Sequence, residues 1–222
     1  MSGAFDAQME PPCLLAIPGS PYSVFVIKEG YAYTDEEGNT RADGSITLVK
    51  GPQVVLVDTG NPWDGGVILR TLESHGLGPG DVSYVVCTHG HSDHVGNLGL
   101  FPEATFIVSF DICRRDAYLS HDFRSGLPYR IDDWLEVFAT PGHCGSDVSL
   151  LVRGTCLGTV VVAGDLFERE DDEQSWRELS ENPELQARHR DRVRTLADVI
   201  IPGHGPPFRV TKESVPATDT CV

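Results

Sequence analysis

The sequence predicts an α/β protein built from two β-sheets with helices outside them. Three observations lead there. Nine short β-branched or apolar runs recur along the chain, only two stretches carry a helical signal, and 222 residues fit one domain with its own core. A chain of that length buries about 70% of its unfolded surface, so it needs no disulfide staples.

The first strands are expected at residues 22–27 and 45–49, with a glycine-rich, acidic loop between them. Residues 54–57 read Val-Val-Leu-Val, all apolar, as a strand buried on both faces requires. Pro62 after Asn61 opens a helix through Glu73 that stops at Gly76 and Gly78. Further strands follow at 82–86, 105–108, 134–138, 147–152 and 158–163. A charged helical segment at 172–197 is broken near Asn182 and Pro183, and a last strand at 198–201 ends in Pro202 and Gly203. Residues 1–12 and 211–222 read as flexible termini around a domain of residues 13–210.

Charge excludes some partners. Seventeen Lys and Arg against 33 Asp and Glu leave a net charge of −16, so a whole-surface basic footprint for nucleic acid is absent and only a local basic groove remains open. With 40% hydrophobic residues and 23 glycines, the composition is that of a globular chain, not a disordered or collagen-like one. No apolar run approaches the roughly 18 to 20 residues of a membrane span, so no membrane partner is expected. The first ten residues lack the basic and apolar regions of a signal peptide, and a soluble intracellular protein is expected. Cys13, Cys87, Cys113, Cys144, Cys156 and Cys221 form no CxxC pair and read as free thiols, several of them buried.

The chemistry sits in loops at strand ends. The run Thr88-His89-Gly90-His91-Ser92-Asp93-His94 places three imidazoles and a carboxylate directly after a buried strand. Left unpaired in one small volume, they would cost several kcal/mol in desolvation and repulsion. Imidazole nitrogen and carboxylate oxygen suit zinc, and Fe or Mn as well. Three more strand ends present one such group beside glycine: His143 after Pro141-Gly142, Asp165 after Gly164, and His204 between Gly203 and Gly205. His75, His121 and His189 fall outside these loops and read as ordinary. Residues 168–173 read as a solvated helix entrance. Arg188, Arg190, Arg192 and Arg194, at spacing two around a helix, read as solubilising charge, with phosphate contact the other reading.

These residues resemble the motif of the metallo-β-lactamase superfamily, T-H-x-H-x-D-H followed by distant His, Asp and His. Asp58, in Val57-Asp58-Thr59-Gly60, matches the superfamily's first, structural motif. Within the match, residues 41–49, 96–102, 163–169 and 202–210 look like the metallo-β-lactamase domain-containing protein 1 family. That family is described as zinc-dependent, dimeric endoribonucleases acting on the 3′ ends of histone pre-mRNA in cytosol and nucleus. The resemblance implies an αββα sandwich with its site at one edge and two Zn2+ per chain. His89, His91 and His143 would hold one ion, Asp93, His94 and His204 the other, with Asp165 bridging and Asp93 orienting the attacking hydroxide. His91 stands where the di-iron oxidoreductase branch carries Glu. Cys144-Gly145-Ser146 replaces the Thr-Pro-Gly common in superfamily hydrolases, and Cys144 is expected to point away from the ligand beside it. No second, RNA-gripping domain like that of larger nucleases of this superfamily is expected. The rival activities are a small-molecule hydrolase of the glyoxalase II type (thioester, lactone or β-lactam-like amide) and a non-catalytic metal-binding module.

Overall fold

Two sheets meet through β-branched side chains, and the strand alternation decides what each face covers. The computed structural model describes residues 15–211, so residues 1–12, Cys13, Cys221 and nearly all of the expected C-terminal tail lie outside the described residues. The strands in chain order are β1 (Leu15–Ile17), β2 (Ser23–Lys28), β3 (Tyr31–Thr34), β4 (Thr40–Asp43), β5 (Ile46–Lys50), β6 (Val54–Val57), β7 (Tyr84–Cys87) and β8 (Thr105–Val108). They continue as β9 (Asp111–Arg114), β10 (Ala117–Leu119), β11 (Tyr129–Arg130), β12 (Leu135–Ala139), β13 (Val148–Thr155), β14 (Gly158–Gly164), β15 (Val199–Pro202) and β16 (Phe208–Arg209). Helix α1 is Gly65–Ser74 and α2 is Pro183–Leu196.

One sheet has the order β1-β2-β5-β6-β7-β8-β9-β10 and the other β11-β12-β13-β14-β15-β16. Val24, Val49, Val57, Val86 and Ile107 of the first sheet share one buried cluster with Val137, Leu150, Val160, Val162 and Ile201 of the second. The opposite face of the first sheet packs Leu48, Leu56 and Val85 against Ile68 and Leu72 of α1. That of the second packs Phe138, Val161 and Ile200 against Val193 of α2. Alternate residues of β14 thus serve two cores, the period-2 rule at work in a buried strand. The layers are α, β, β, α, as the sequence implied.

β6 pairs parallel with β7, and β14 parallel with β15, so each pair releases two chain ends at the same edge. That edge carries the chemistry, as the carboxyl ends of parallel strands commonly do.

Beyond short strands at β1, β9, β10, β11 and β16 that the sequence reading did not expect, the scaffold departs from it in three places. The acidic loop before β5 holds a two-stranded hairpin, β3 with β4, whose residues are mostly exposed and so carry no apolar period. The helical segment shrinks to α2: Asn182 caps it through a bond from Leu185 N at 3.0 Å, Pro183 fills the first turn, and only a short 3-10 turn at Ser175–Arg177 precedes it. Arg190 is not surface charge. It is 2% exposed, its guanidinium donates to the carbonyls of Leu166 (2.9 Å) and Asp172 (3.0 Å), and it lies over the Phe167 and Trp176 rings. Burial pushes its pKa down to about 10.

Replacing the Asn182 cap by Ala should cost about 1 kcal/mol. In a protein of this size that lowers Tm by roughly 2–4 °C, measured by circular dichroism. An unchanged Tm would show that packing alone holds the start of α2.

Candidate metal centre

The centre forms where five chain segments leave their strands. β6 ends in Asp58, which adopts φ 56°, a left-handed conformation that a non-glycine residue keeps only when its surroundings impose it. They do so here. Asp58 Oδ1 accepts from Thr88 N at 2.7 Å, and Oδ2 accepts from Thr88 Oγ1 at 3.0 Å and from His94 Nδ1 at 2.8 Å. One buried carboxylate therefore fastens the end of β7 and sets the tautomer of His94. The same logic fixes two other rings on their far sides: His89 Nδ1 meets Thr88 Oγ1 at 3.1 Å, and His204 Nδ1 meets the Asp43 carbonyl at 3.2 Å.

The inward nitrogens converge in two groups. His91 Nδ1 lies 2.9 Å from His89 Nε2 and 3.2 Å from His143 Nε2. Asp93 Oδ2 lies 3.8 Å from His94 Nε2 and 3.7 Å from His204 Nε2. Asp165 stands between the groups, its Oδ2 3.3 Å from both His143 Nε2 and His204 Nε2 and its Oδ1 3.3 Å from His94 Nε2. All seven residues singled out in the sequence meet in one place.

The donor set fits cations on its own evidence. Asp58 engages Nδ1 of His94, so its Nε2 turns toward Asp165 Oδ1 at 3.3 Å, and both buried atoms lack a hydrogen-bond partner. A buried carboxylate so placed needs positive charge beside it, from protonated imidazole in the metal-free protein or from a bound cation. Among the described residues, His89, His91, His143 and Cys144, then Asp93, His94 and His204, form clusters whose donor atoms lie within 4.8 Å of one another. Nitrogen and oxygen donors of this kind suit zinc.

Electrostatics tell the same story for the metal-free protein. Burial opposes charge on His94, but the Asp165 and Asp58 carboxylates outweigh it and hold its pKa well above the usual imidazole value. His204 rises to about 9, with burial again outweighed by Asp165. Burial, with neighbouring imidazoles, pushes His89 and His143 down. Burial works to raise Asp165, yet His94, His89 and His204 hold it well below the carboxylate range.

Two parts of the surroundings differ from the sequence reading. Cys144 does not point away: its Sγ lies 3.6 Å from His91 Nε2, behind that ring. Burial and Asp147 push this thiol up to about 12, so it is neutral. Residues 168–173 are not a uniformly solvated helix entrance, because Glu168 and Asp172 are 5% and 4% exposed. Asp172 caps the turn at Ser175 and Trp176. Glu168 Oε1 stands 3.7 Å from His143 Nδ1, and burial with Asp165 pushes its pKa up to about 8. The sequence signal for Glu168 was its place three residues after Asp165, facing the same loop. Glu168 and His204 also line a cleft of about 480 Å³ with Tyr33, Arg169, Asp172 and Glu178.

Comparison with known proteins now decides the family. The metallo-β-lactamase superfamily model matches residues 39–134. A Xenopus laevis protein named metallo-β-lactamase domain-containing protein 1 is 59% identical over 198 residues, 88% of this chain and 85% of its own. The chain belongs to the metallo-β-lactamase superfamily. Within the superfamily it is also 30% identical to the N-acyl homoserine lactonase AttM of Azorhizobium caulinodans, over 79% of this chain and 81% of that one. A solved structure described as AidC, a dizinc quorum-quenching lactonase, shares the fold at TM-score 0.65 and 14% identity, covering 91% of this chain and 94% of that one. The protein is thus a superfamily hydrolase with a candidate site for metal.

Two outcomes test the centre. A Cβ on Gly203 would fall 1.8 Å from Asp165 Oδ1, whereas one on Gly90 would meet nothing within 4 Å. Gly203→Ala should therefore lose bound zinc by elemental analysis, and Gly90→Ala should keep it; equal content in both would refute the tight fit around Asp165. In chelator-treated protein, Glu168 and His204 bind protons more tightly folded than unfolded. Each then contributes stability that is lost as pH rises, Glu168 between 4.5 and about 8 and His204 between 6.5 and about 9. Urea unfolding should show metal-free stability falling from pH 6.5 to 9; a rise across that window would contradict the assignment.

Proposed function

We propose that the protein is a zinc-dependent endoribonuclease cleaving the 3′ ends of histone pre-mRNA, with two Zn2+ per chain, acting as a homodimer in cytosol and nucleus. The observation that carries hydrolysis is the convergence of two donor groups on the single carboxylate of Asp165. The choice of RNA rests on residues 41–49, 96–102, 163–169 and 202–210, which resemble the family so described. His89, His91 and His143 would hold one ion, and Asp93, His94 and His204 the other. Ions bound there supply Lewis acidity that lowers the pKa of water and stabilises charge on the attacking and leaving oxygens of an in-line displacement.

The chain's own groups do the positioning. Asp58, Thr88 and the Asp43 carbonyl hold three rings at fixed angles. The Asp93 side chain is 15% exposed, the most open carboxylate of the centre, so it can accept a proton from the attacking water and align it. With water as nucleophile the neighbouring ribose 2′-hydroxyl is not needed. The bond from phosphorus to the 3′ oxygen breaks, leaving a 3′-hydroxyl on one fragment and a 5′-phosphate on the other.

A second reading, a hydrolase of small uncharged lactones or thioesters, is favoured by the cleft beside His204, where Glu168, Asp172 and Glu178 face a single Arg169. The test is turnover of a labelled histone pre-mRNA 3′ fragment beside a panel of lactones and thioesters, with end-group analysis. Cleavage to 3′-hydroxyl and 5′-phosphate ends, persisting with 2′-deoxy at the cleaved position, supports the nuclease. A 2′,3′-cyclic phosphate contradicts water attack, and lactone turnover without RNA cleavage selects the second reading. Asp58→Asn should lower kcat/KM by about 10–100-fold, as loss of a ligand's support does, and Asp165→Asn by more. Equal losses in equally folded variants would show that Asp165 is not shared.

A further inference from the structure

On the His143 side of the centre, a groove of about 380 Å³ runs between the 3-10 turn at Phe123–Ser125 and α2. Pro141 and Gly145, which flank His143, line it together with Phe110, Arg124, Leu185 and Arg192. The groove is fastened to the centre, because Glu181 N donates to the His143 carbonyl at 3.0 Å and Asn182 N to the Gly142 carbonyl at 2.9 Å. No Asp or Glu is among its lining residues, in a chain of net charge −16.

Its cations are uncommitted. Lys28, Arg41, Arg115, Arg130 and Arg153 are each paired with carboxylates, whereas Arg124 and Arg192 are exposed and make no ion pair among the described residues. The Arg124 guanidinium lies 5.6 Å over the half-buried Phe110 ring, and Arg192 lies 5.2 Å over Phe138. His189, also in the lining, has a buried Nδ1 with no hydrogen-bond partner. Arginine planes, a half-buried aromatic ring stacked on Phe123, an unspent polar atom and the apolar side chain of Leu185 form a surface that can hold a base while its phosphates are neutralised.

We propose that this groove seats the nucleotide next to the scissile phosphodiester, with Arg124 and Arg192 on its phosphates and Phe110 and Leu185 against its base. The proposal rests on the nuclease reading above and gives an acidic protein its local basic site. Of the four arginines spaced along α2, Arg192 alone lines this groove.

The test is steady-state cleavage of a fluorescein-labelled single-stranded RNA by the zinc-loaded full chain over a range of salt. Arg124→Gln with Arg192→Gln should raise KM about tenfold with kcat within about twofold. The log–log salt dependence should flatten by about 1.4, at roughly 0.7 for each phosphate no longer neutralised. Lys at both positions should restore the salt slope, since it keeps the charge. Arg115→Gln, at an arginine outside the groove and paired with Glu103, should leave KM unchanged. If the wild type cuts RNA and the double variant keeps its KM and slope, the groove is overturned and the nuclease reading stands. Should the double variant lose turnover of a long-chain acyl lactone and not of RNA, the groove takes an acyl chain and the proposal is likewise overturned. A wild type that hydrolyses bis(p-nitrophenyl) phosphate but no RNA overturns the nuclease reading and the groove together.

Discussion

The carboxylate of Asp165 is 4% exposed and touches the inward nitrogens of His89, His94, His143 and His204 within 3.4 Å. A buried anion so placed is tolerable only if positive charge surrounds it, and the edge of the sandwich is arranged to bring that charge in. Parallel pairing of β14 with β15 puts His204 beside Asp165, and parallel pairing of β6 with β7 puts Asp58 beneath His94. The two sheets meet where Gly164, at φ 53°, passes so near Thr88 that a Cβ would fall 2.3 Å from its Oγ1. Closeness of backbone, not bulk, joins the halves of the centre.

Helix α2 extends the same constraint outward. Gln186 donates to the Asp165 carbonyl at 2.9 Å, and Arg190, one turn on, donates to the Leu166 and Asp172 carbonyls. The loop that carries Asp165 and Glu168 is thus held by backbone acceptors whose partners arrive from a distant helix. Support of this kind keeps ligand geometry within the tolerance a metal site needs. It also separates two surfaces beside one centre, an acidic cleft at His204 and an arginine-lined groove at His143.

Much of this was legible in the sequence, for a physical reason. Ligand-type side chains at strand ends beside glycine have few other uses, so His89, His91, Asp93, His94, His143, Asp165 and His204 could be picked out before any fold was known. The β-branched runs located the core strands because a strand buried on both faces has to be apolar throughout. The hairpin of β3 and β4 left no trace, since its exposed residues need no pattern. Glu168 and Asp172 were misread because a run of acids looks solvated locally, while the contacts that bury them come from His143, His204 and Arg190, distant in sequence. Cys144 lies in a turn beyond the end of β12, where no strand period fixes which way a side chain points.

The proposed centre has two cations sharing Asp165, and electron paramagnetic resonance of the cobalt-substituted protein tests that most directly. At two Co2+ per chain, ions about 3.5–4 Å apart and joined by one carboxylate should couple. The signal should then fall well below twice that of the half-loaded protein, and Asp165→Asn should restore isolated spins. Two additive, uncoupled signals in the wild type, or saturation at a single ion, would contradict the shared carboxylate.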